Sequence, residues 1–217
     1  MVRSLPRRAA FTLVELLVVI AIIGILATLI ISVTGTSRFI SQRVACLNNM
    51  RQIAVAFQLY AGENDQQLPS RVNTGQGDKW PRLLYPYLKS SKVYLAPGID
   101  TVTPDLDTLL SNNNNNTSFI MNGYNDLGAY NDPDVVIRTL TIAEPARTIL
   151  LGMPKARDAN FYMDVVENNQ TQVLNLTAYG EGSNYVFADG SSRFIKKDDH
   201  DLKMWFVDKD YEPPVFQ

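Results

Sequence analysis

The chain has 217 residues, with 20 Lys and Arg against 22 Asp and Glu, one histidine and one cysteine. A formal net charge of −2 argues against generic nucleic-acid binding, which draws on a basic surplus. The lone cysteine excludes an intrachain disulfide framework, and the lone histidine excludes zinc sites built on closely spaced histidines.

The amino terminus reads "MVRSLPRRAAFTLVELLVVIAIIGILATLI". Between Leu16 and Ser37 it carries no charge, and Phe11 to Val33 exceeds the roughly 20 residues that cross a bilayer as a helix. Arg3, Arg7 and Arg8 precede the run, which places the amino terminus on the cytoplasmic side and the rest of the chain outside. The stretch "ISVTGTSRF" after the run is a poor match to a secretory cleavage site, whereas Ala9 and Ala10 lie directly before Phe11. A cut there removes the basic leader and keeps the apolar helix. Glu15 is the anomaly, because a carboxylate deep in hydrocarbon costs roughly 2.5 to 3.5 kcal/mol on insertion scales unless it is paired.

The segment "AFTLVELLVVIAIIGILATL" resembles the amino terminus of type IV prepilins and of the pseudopilins of type II secretion systems. The resemblance implies cleavage by a prepilin peptidase between Ala10 and Phe11, N-methylation of Phe11, and Glu15 as the acidic residue at the fifth mature position. Ala10 departs from the glycine usual before the cut. The resemblance further implies that Glu15 of one subunit pairs with the new amine of its neighbour, which makes the charge an assembly register; the alternative is a helix-end residue complementing the helix dipole. Without the leader, the mature chain carries 17 basic against 22 acidic side chains, a formal −5. Ala21, Gly24 and Thr28 are small enough for close helix approach in a filament core.

Past the span, Val44, Leu47, Met50, Ile53, Phe57 and Tyr60 recur at spacings of three or four and predict an amphipathic helix, ended by Gly62, Asn64 and Pro69. Either one helix of about 50 residues runs from Phe11 to Tyr60, or two helices break near Gly35. The next elements are "WPRLLYPYL" as a short helix or turn anchored by Trp80, Leu84 and Leu88, and "KVYLA", "SFIMN", "VVIRTLTI" and "RTILLGM" as strands. Asn112 to Asn116 has no apolar face and reads as a loop. In "SNYVFADGSSRFI", Asp189-Gly190 predicts a two-residue hairpin turn, both positions at positive φ. That turn pairs Ala188 with Ser191, Val186 with Arg193 and Tyr185 with Phe194, and sets Tyr185, Phe187 and Phe194 on one inner face. Asp189 as a catalytic acid or cation ligand is the competing reading.

The carboxy-terminal half also resembles a bacterial pilin-like subfamily whose signature is a His, nine residues, then Asp-Gly; "CLNNMRQIAVAFQLYAGENDQQLP" and "SFIMNGYN" extend the similarity. Here Tyr179 stands in the histidine position, and Ala96 stands where relatives often carry a cysteine before the proline of "LAPGID". Cys46 is therefore either a buried small residue or an intersubunit crosslinker. In "KKDDHDLKMW", Asp198, Asp199, His200 and Asp201 form a solvated turn or, alternatively, a cation site. The glycines of "GEGSN" (Gly180, Gly182) precede a strand, the wrong order for phosphate binding.

The sequence thus predicts an α+β, type IV pilin-like fold: a long amino-terminal helix packed on a small antiparallel sheet. The expected segments are a leader (1–10), a transmembrane or filament-core helix (11–35) and an outward domain (36–217). The expected function is a structural pilin or pseudopilin, with no catalytic residues, cofactor or metal. A ligand- or DNA-binding minor pilin is the first alternative and a membrane-anchored hydrolase the second. Expected partners are the prepilin peptidase, other pilin subunits, an inner-membrane assembly platform and lipid, but not nucleic acid. The chain is expected in the inner membrane as a single pass, and in a filament after assembly.

Overall fold

A computed structural model describes residues 12–71, 77–100, 104–111, 114–129, 132, 134–155, 161–164 and 173–212, with backbone alone at 29–36 and 125. The leader, Ala10, Phe11, Asn112 and Asn113 lie outside these residues. Contacts divide the chain into two units, Met1–Ser41 and Gln42–Gln217. A helix assignment, α1, runs without interruption over Leu13–Glu63, through Gly35.

In the first unit the apolar residues of α1 lie all around the helix. Leu13, Val14, Leu16 to Ile20, Ile22, Ile23, Ile25 and Leu26 are each between 44 and 79 % exposed. Among the described residues no helix is long and apolar enough to cross a membrane; the predicted span of Phe11 to Val33 runs past the described side chains at both ends.

The second unit is α+β, with the end of α1 packed on a mixed five-stranded sheet. The strands are β1 (Ile120–Asn122), β2 (Ile149–Gly152), β3 (Tyr162–Met163), β4 (Gly182–Phe187) and β5 (Ser192–Lys196), in the order β3-β1-β2-β4-β5. The predicted sheet is antiparallel; β1 and β3 instead run parallel, because the chain returns from β2 to the far edge of β1 in the same sense. Two further helices are α2 (Trp80–Leu88), with Trp80 and Leu84 buried, and the one-turn α3 (Leu106–Leu109).

The buried stripe of α1 is Cys46, Met50, Ile53, Ala54, Phe57 and Ala61, at helical spacing. Val44, predicted to belong to it, is 46 % exposed. Helix termination follows from Asp65 and Gln66 at positive φ, with the Gln66 N–H on the Ala61 carbonyl and the Asn64 side chain on the Tyr60 carbonyl. Two predicted strands are absent as such. "KVYLA" forms the 3₁₀ turn Ser91–Tyr94, and "VVIRTLTI" makes a single bridge from Arg138 to Gln67 before the 3₁₀ turn Thr139–Thr141.

The hairpin β4–β5 pairs Val186 with Ser192, Tyr185 with Arg193 and Asn184 with Phe194. The loop holds three residues, Ala188 to Gly190, closed by the Gly190 N–H on the Phe187 carbonyl, and only Gly190 takes a positive φ, +82°. That extra residue moves Phe194 to the face opposite Tyr185 and Phe187, correcting the predicted grouping. Phe194 instead lies toward α1, beneath the Arg43 guanidinium at 4.4 Å.

Every residue of β4 is buried, because both sheet faces are covered. Met121, Leu151 and Val186 join the α1 stripe, while Ile120, Ile149, Tyr185 and Phe187 pack with Trp205 and Phe206 of the carboxy-terminal segment. Gly152 permits that second cover: a Cβ there would stand 2.9 Å from the Trp205 ring. The buried Asn122 fastens it, donating to the carbonyls of Ile149 (2.8 Å) and Trp205 (2.7 Å) and accepting from the Tyr124 N–H (2.9 Å). Asn122→Ala strands three buried groups and should cost about 3 kcal/mol in chemical denaturation. Leu140→Ala, at a side chain 83 % exposed, should cost almost nothing, and equal losses would contradict this account.

Candidate assembly site

In the first unit, Thr12 and Glu15 close on each other. The Thr12 N–H and hydroxyl both donate to Glu15 Oε2, at 2.9 and 2.8 Å, and the Glu15 N–H donates to Thr12 Oγ1 at 3.2 Å. This is a capping box, with Thr12 as the cap and Glu15 three residues on, satisfying otherwise unpaired donors at the start of α1. From sequence, the helix-end position of Glu15 stands only as the alternative to an assembly role, and Thr12 goes unread, although the Thr-x-x-Glu spacing is a readable signal. In the isolated chain the carboxylate is exposed, held by neutral donors and one turn from the helix end.

Further along, the Thr28 hydroxyl donates to the Gly24 carbonyl at 2.8 Å, so it presents no unpaired donor to an apolar neighbour. A Cβ on Gly24 would meet nothing within 4 Å beyond the adjoining helix backbone, so that side of the helix is open. Ala21 is exposed on the same helix.

The candidate residues of the second unit are spread over separate places. Asp189 sits in the hairpin loop, where Oδ1 accepts from the N–H (2.9 Å) and hydroxyl (2.6 Å) of Ser191. Its carbonyl accepts from the Gln58 side chain of α1 at 3.4 Å. Cys46 is fully buried, and burial pushes its thiol up to about 11, against a smaller lowering by its side-chain hydrogen bonding with Tyr179 and Asn184. It is neither accessible for an intersubunit crosslink nor activated as a nucleophile. Tyr179, at the position of the relatives' histidine, fills this place as a hydrogen-bonding core residue, its hydroxyl donating to the Pro97 carbonyl at 3.1 Å. Ala96, beside it, is buried, and its N–H donates to Asp100 and Ser118.

His200 belongs to the cover of the second sheet face. Its Nε2 accepts from the Trp205 indole N–H at 3.1 Å, and its ring lies 5.3 Å from that of Tyr185. Asp201 caps the 3₁₀ turn Leu202–Trp205 by accepting from the Lys203 N–H. Among the described residues no three His, Cys, Asp or Glu side chains gather in a way that would hold a metal ion. Sequence patterning also gave no sign of the buried ion pair of Arg71 and Asp164.

An indole can only donate, so the His200–Trp205 bond requires a neutral imidazole with its proton on Nδ1. Burial lowers the His200 pKa, and Asp201 opposes the shift. The folded state therefore binds fewer protons than the unfolded one: the stability is complete above about pH 6.5 and is lost as pH falls from there through the folded pKa. Urea unfolding from pH 8 to 5 should show this fall, and His200→Gln should flatten it. An unchanged slope in that variant would exclude His200 as its source.

Comparison with known proteins matches the prokaryotic N-terminal methylation motif to residues 5–31, which include Ala10, Phe11, the capping box, Ala21, Gly24 and Thr28. No curated protein and no solved structure matches the chain. Over these residues the chain carries the type IV prepilin-like signal, and the α+β architecture of its second unit is consistent with a pilin-like fold.

Proposed function

We propose that the protein is a structural subunit of a type IV pilus-like or type II secretion filament, held in the inner membrane by residues 11–35 until it assembles. The observation that carries this reading is the methylation motif on a helix whose large apolar side chains from Leu13 to Leu26 are 44 to 79 % exposed. Such a surface is stable in lipid or against other apolar helices, not in water. Residues 1–10 are the leader, cut between Ala10 and Phe11 by a prepilin peptidase, and residues 36–217 face outward. In the filament, Ala21, Gly24 and Thr28 let neighbouring helices approach, and repeated contacts that do not close into a ring build a fibre. An inner-membrane platform supplies subunits to its base.

Glu15 has two roles in succession. In the single chain its carboxylate completes the cap with Thr12. On assembly it meets the cationic amine of a neighbour's Phe11. Unit charges about 4 Å apart attract by roughly 4 kcal/mol at an effective dielectric of about 20, before desolvation is subtracted.

Mass spectrometry of the membrane-extracted protein should find N-methylated Phe11 as the first residue. Recovery of uncut chain alone, with an active prepilin peptidase present, would refute the processing step. Glu15→Gln isolates the charge, since glutamine also serves in a capping box. Insertion and cleavage should be unchanged and filament yield sharply lower. Wild-type yield would reduce Glu15 to its capping role.

A further inference from the structure

The second unit carries a cleft of about 210 Å³ that neither the fold nor the assembly reading uses, lined by Glu144, Arg147, Lys203, Met204, Phe206 and Lys209. Three of its six lining residues are cationic, on a chain whose net charge is negative. Glu144 supplies one carboxylate and spends it on Arg147, at 3.6 Å. No ion pair is made by Lys203 or Lys209 among the described residues.

Lys209 is the best-placed donor. Its Nζ donates to Thr148 Oγ1 at 3.1 Å and to the Phe206 carbonyl at 2.9 Å, which fixes the ammonium at the cleft and leaves its third hydrogen uncommitted. The position is electrostatically unfavourable for a cation without an anion beside it: burial lowers the Lys209 pKa and Arg147 adds to the effect, while Glu144 and Asp126 work against it. The scaffold beneath is held independently, because the buried Asp126 accepts from the N–H groups of Val207 and Asp208 and so sets the turn that presents Lys209. Arg147 projects from the turn before β2, and Lys203 and Lys209 from the carboxy-terminal segment, so two separate chain segments bring positive charge to one place.

We propose that this cleft binds one oxyanion group, phosphate or carboxylate, of a ligand, with Lys209, Arg147 and Lys203 as donors and Glu144 as the group the anion displaces from Arg147. The guanidinium, already free to rotate on an exposed side chain, turns from Glu144 to the incoming oxygen atoms and can bind them in a two-pronged fashion. Met204 beside the cations gives the ligand's uncharged part an apolar neighbour.

The test uses the full-length protein in a neutral detergent, titrated separately with inorganic phosphate and with acetate at constant ionic strength and followed by calorimetry. Saturable binding of one anion per chain is expected, and the tighter probe names the group, phosphoryl or carboxylate. Arg147→Gln and Lys203→Gln, both at exposed side chains that leave the fold intact, should each weaken binding about five-fold. Glu144→Gln should strengthen it by a similar factor, since it removes the competing carboxylate; an anion merely attracted to a basic surface would gain far less. Absence of saturable binding by either probe overturns the proposal. So does binding that ignores all three substitutions.

Discussion

Exposed hydrocarbon on the first half of α1 is the constraint on which the rest of the account depends. From Leu13 to Leu26 the large apolar side chains point in every direction around the helix, so no single packed face can cover them. A soluble domain on one side would leave the other side in water. Lipid or a ring of like helices covers all sides at once, and the methylation motif lies over this same stretch. Within it the chain has already dealt with its own polar groups. The capping box uses the first donors of the helix, and the Thr28 hydroxyl is turned back on the Gly24 carbonyl. What remains unneutralised is one carboxylate at Glu15, close to the helix end.

The second unit solves a different burial problem. Its sheet is covered on both faces, by the Cys46 to Ala61 stripe of α1 on one and by the Trp205-Phe206 segment on the other. Asn122 joins the two halves of that arrangement, because it sits in β1 and holds a carbonyl of the carboxy-terminal segment. The same segment, fixed on its sheet side, presents Lys203 and Lys209 outward. The basic cleft is thus a by-product of how the second face is closed, on a surface separate from the one that meets α1.

Much of this was legible in the sequence where periodicity is long. The apolar run, the α1 stripe and the helix end at the Gly62 to Pro69 region follow from spacing and turn chemistry over many residues. What failed was short. "KVYLA" reads equally as a strand or as a buried 3₁₀ turn, since five residues carry no decisive period. β3 has two residues and no pattern to find. The hairpin was located correctly but placed out of register, because Ala-Asp-Gly suits a three-residue loop as well as Asp-Gly suits a two-residue one, and a single residue of slip sends Phe194 to the other face. The second cover was hidden for another reason: "KKDDHDLKMW" looks solvated by composition, yet His200 and Trp205 turn inward together and satisfy each other. The Thr12 cap, by contrast, is legible in the sequence as Thr-x-x-Glu at the start of the apolar run.

The account stands most directly on the pairing of Glu15 with the amino terminus of a neighbouring copy. Filaments assembled from an equal mixture of ¹⁴N- and ¹⁵N-labelled subunits, treated with an apolar carbodiimide and digested, would carry that pairing as an amide between Phe11 and Glu15. The prediction is a linked peptide of mixed isotopic composition in filaments, absent from the same subunits dispersed in detergent. Linked peptides of uniform isotopic composition only would show that the carboxylate meets its own chain's terminus, and would contradict the mechanism.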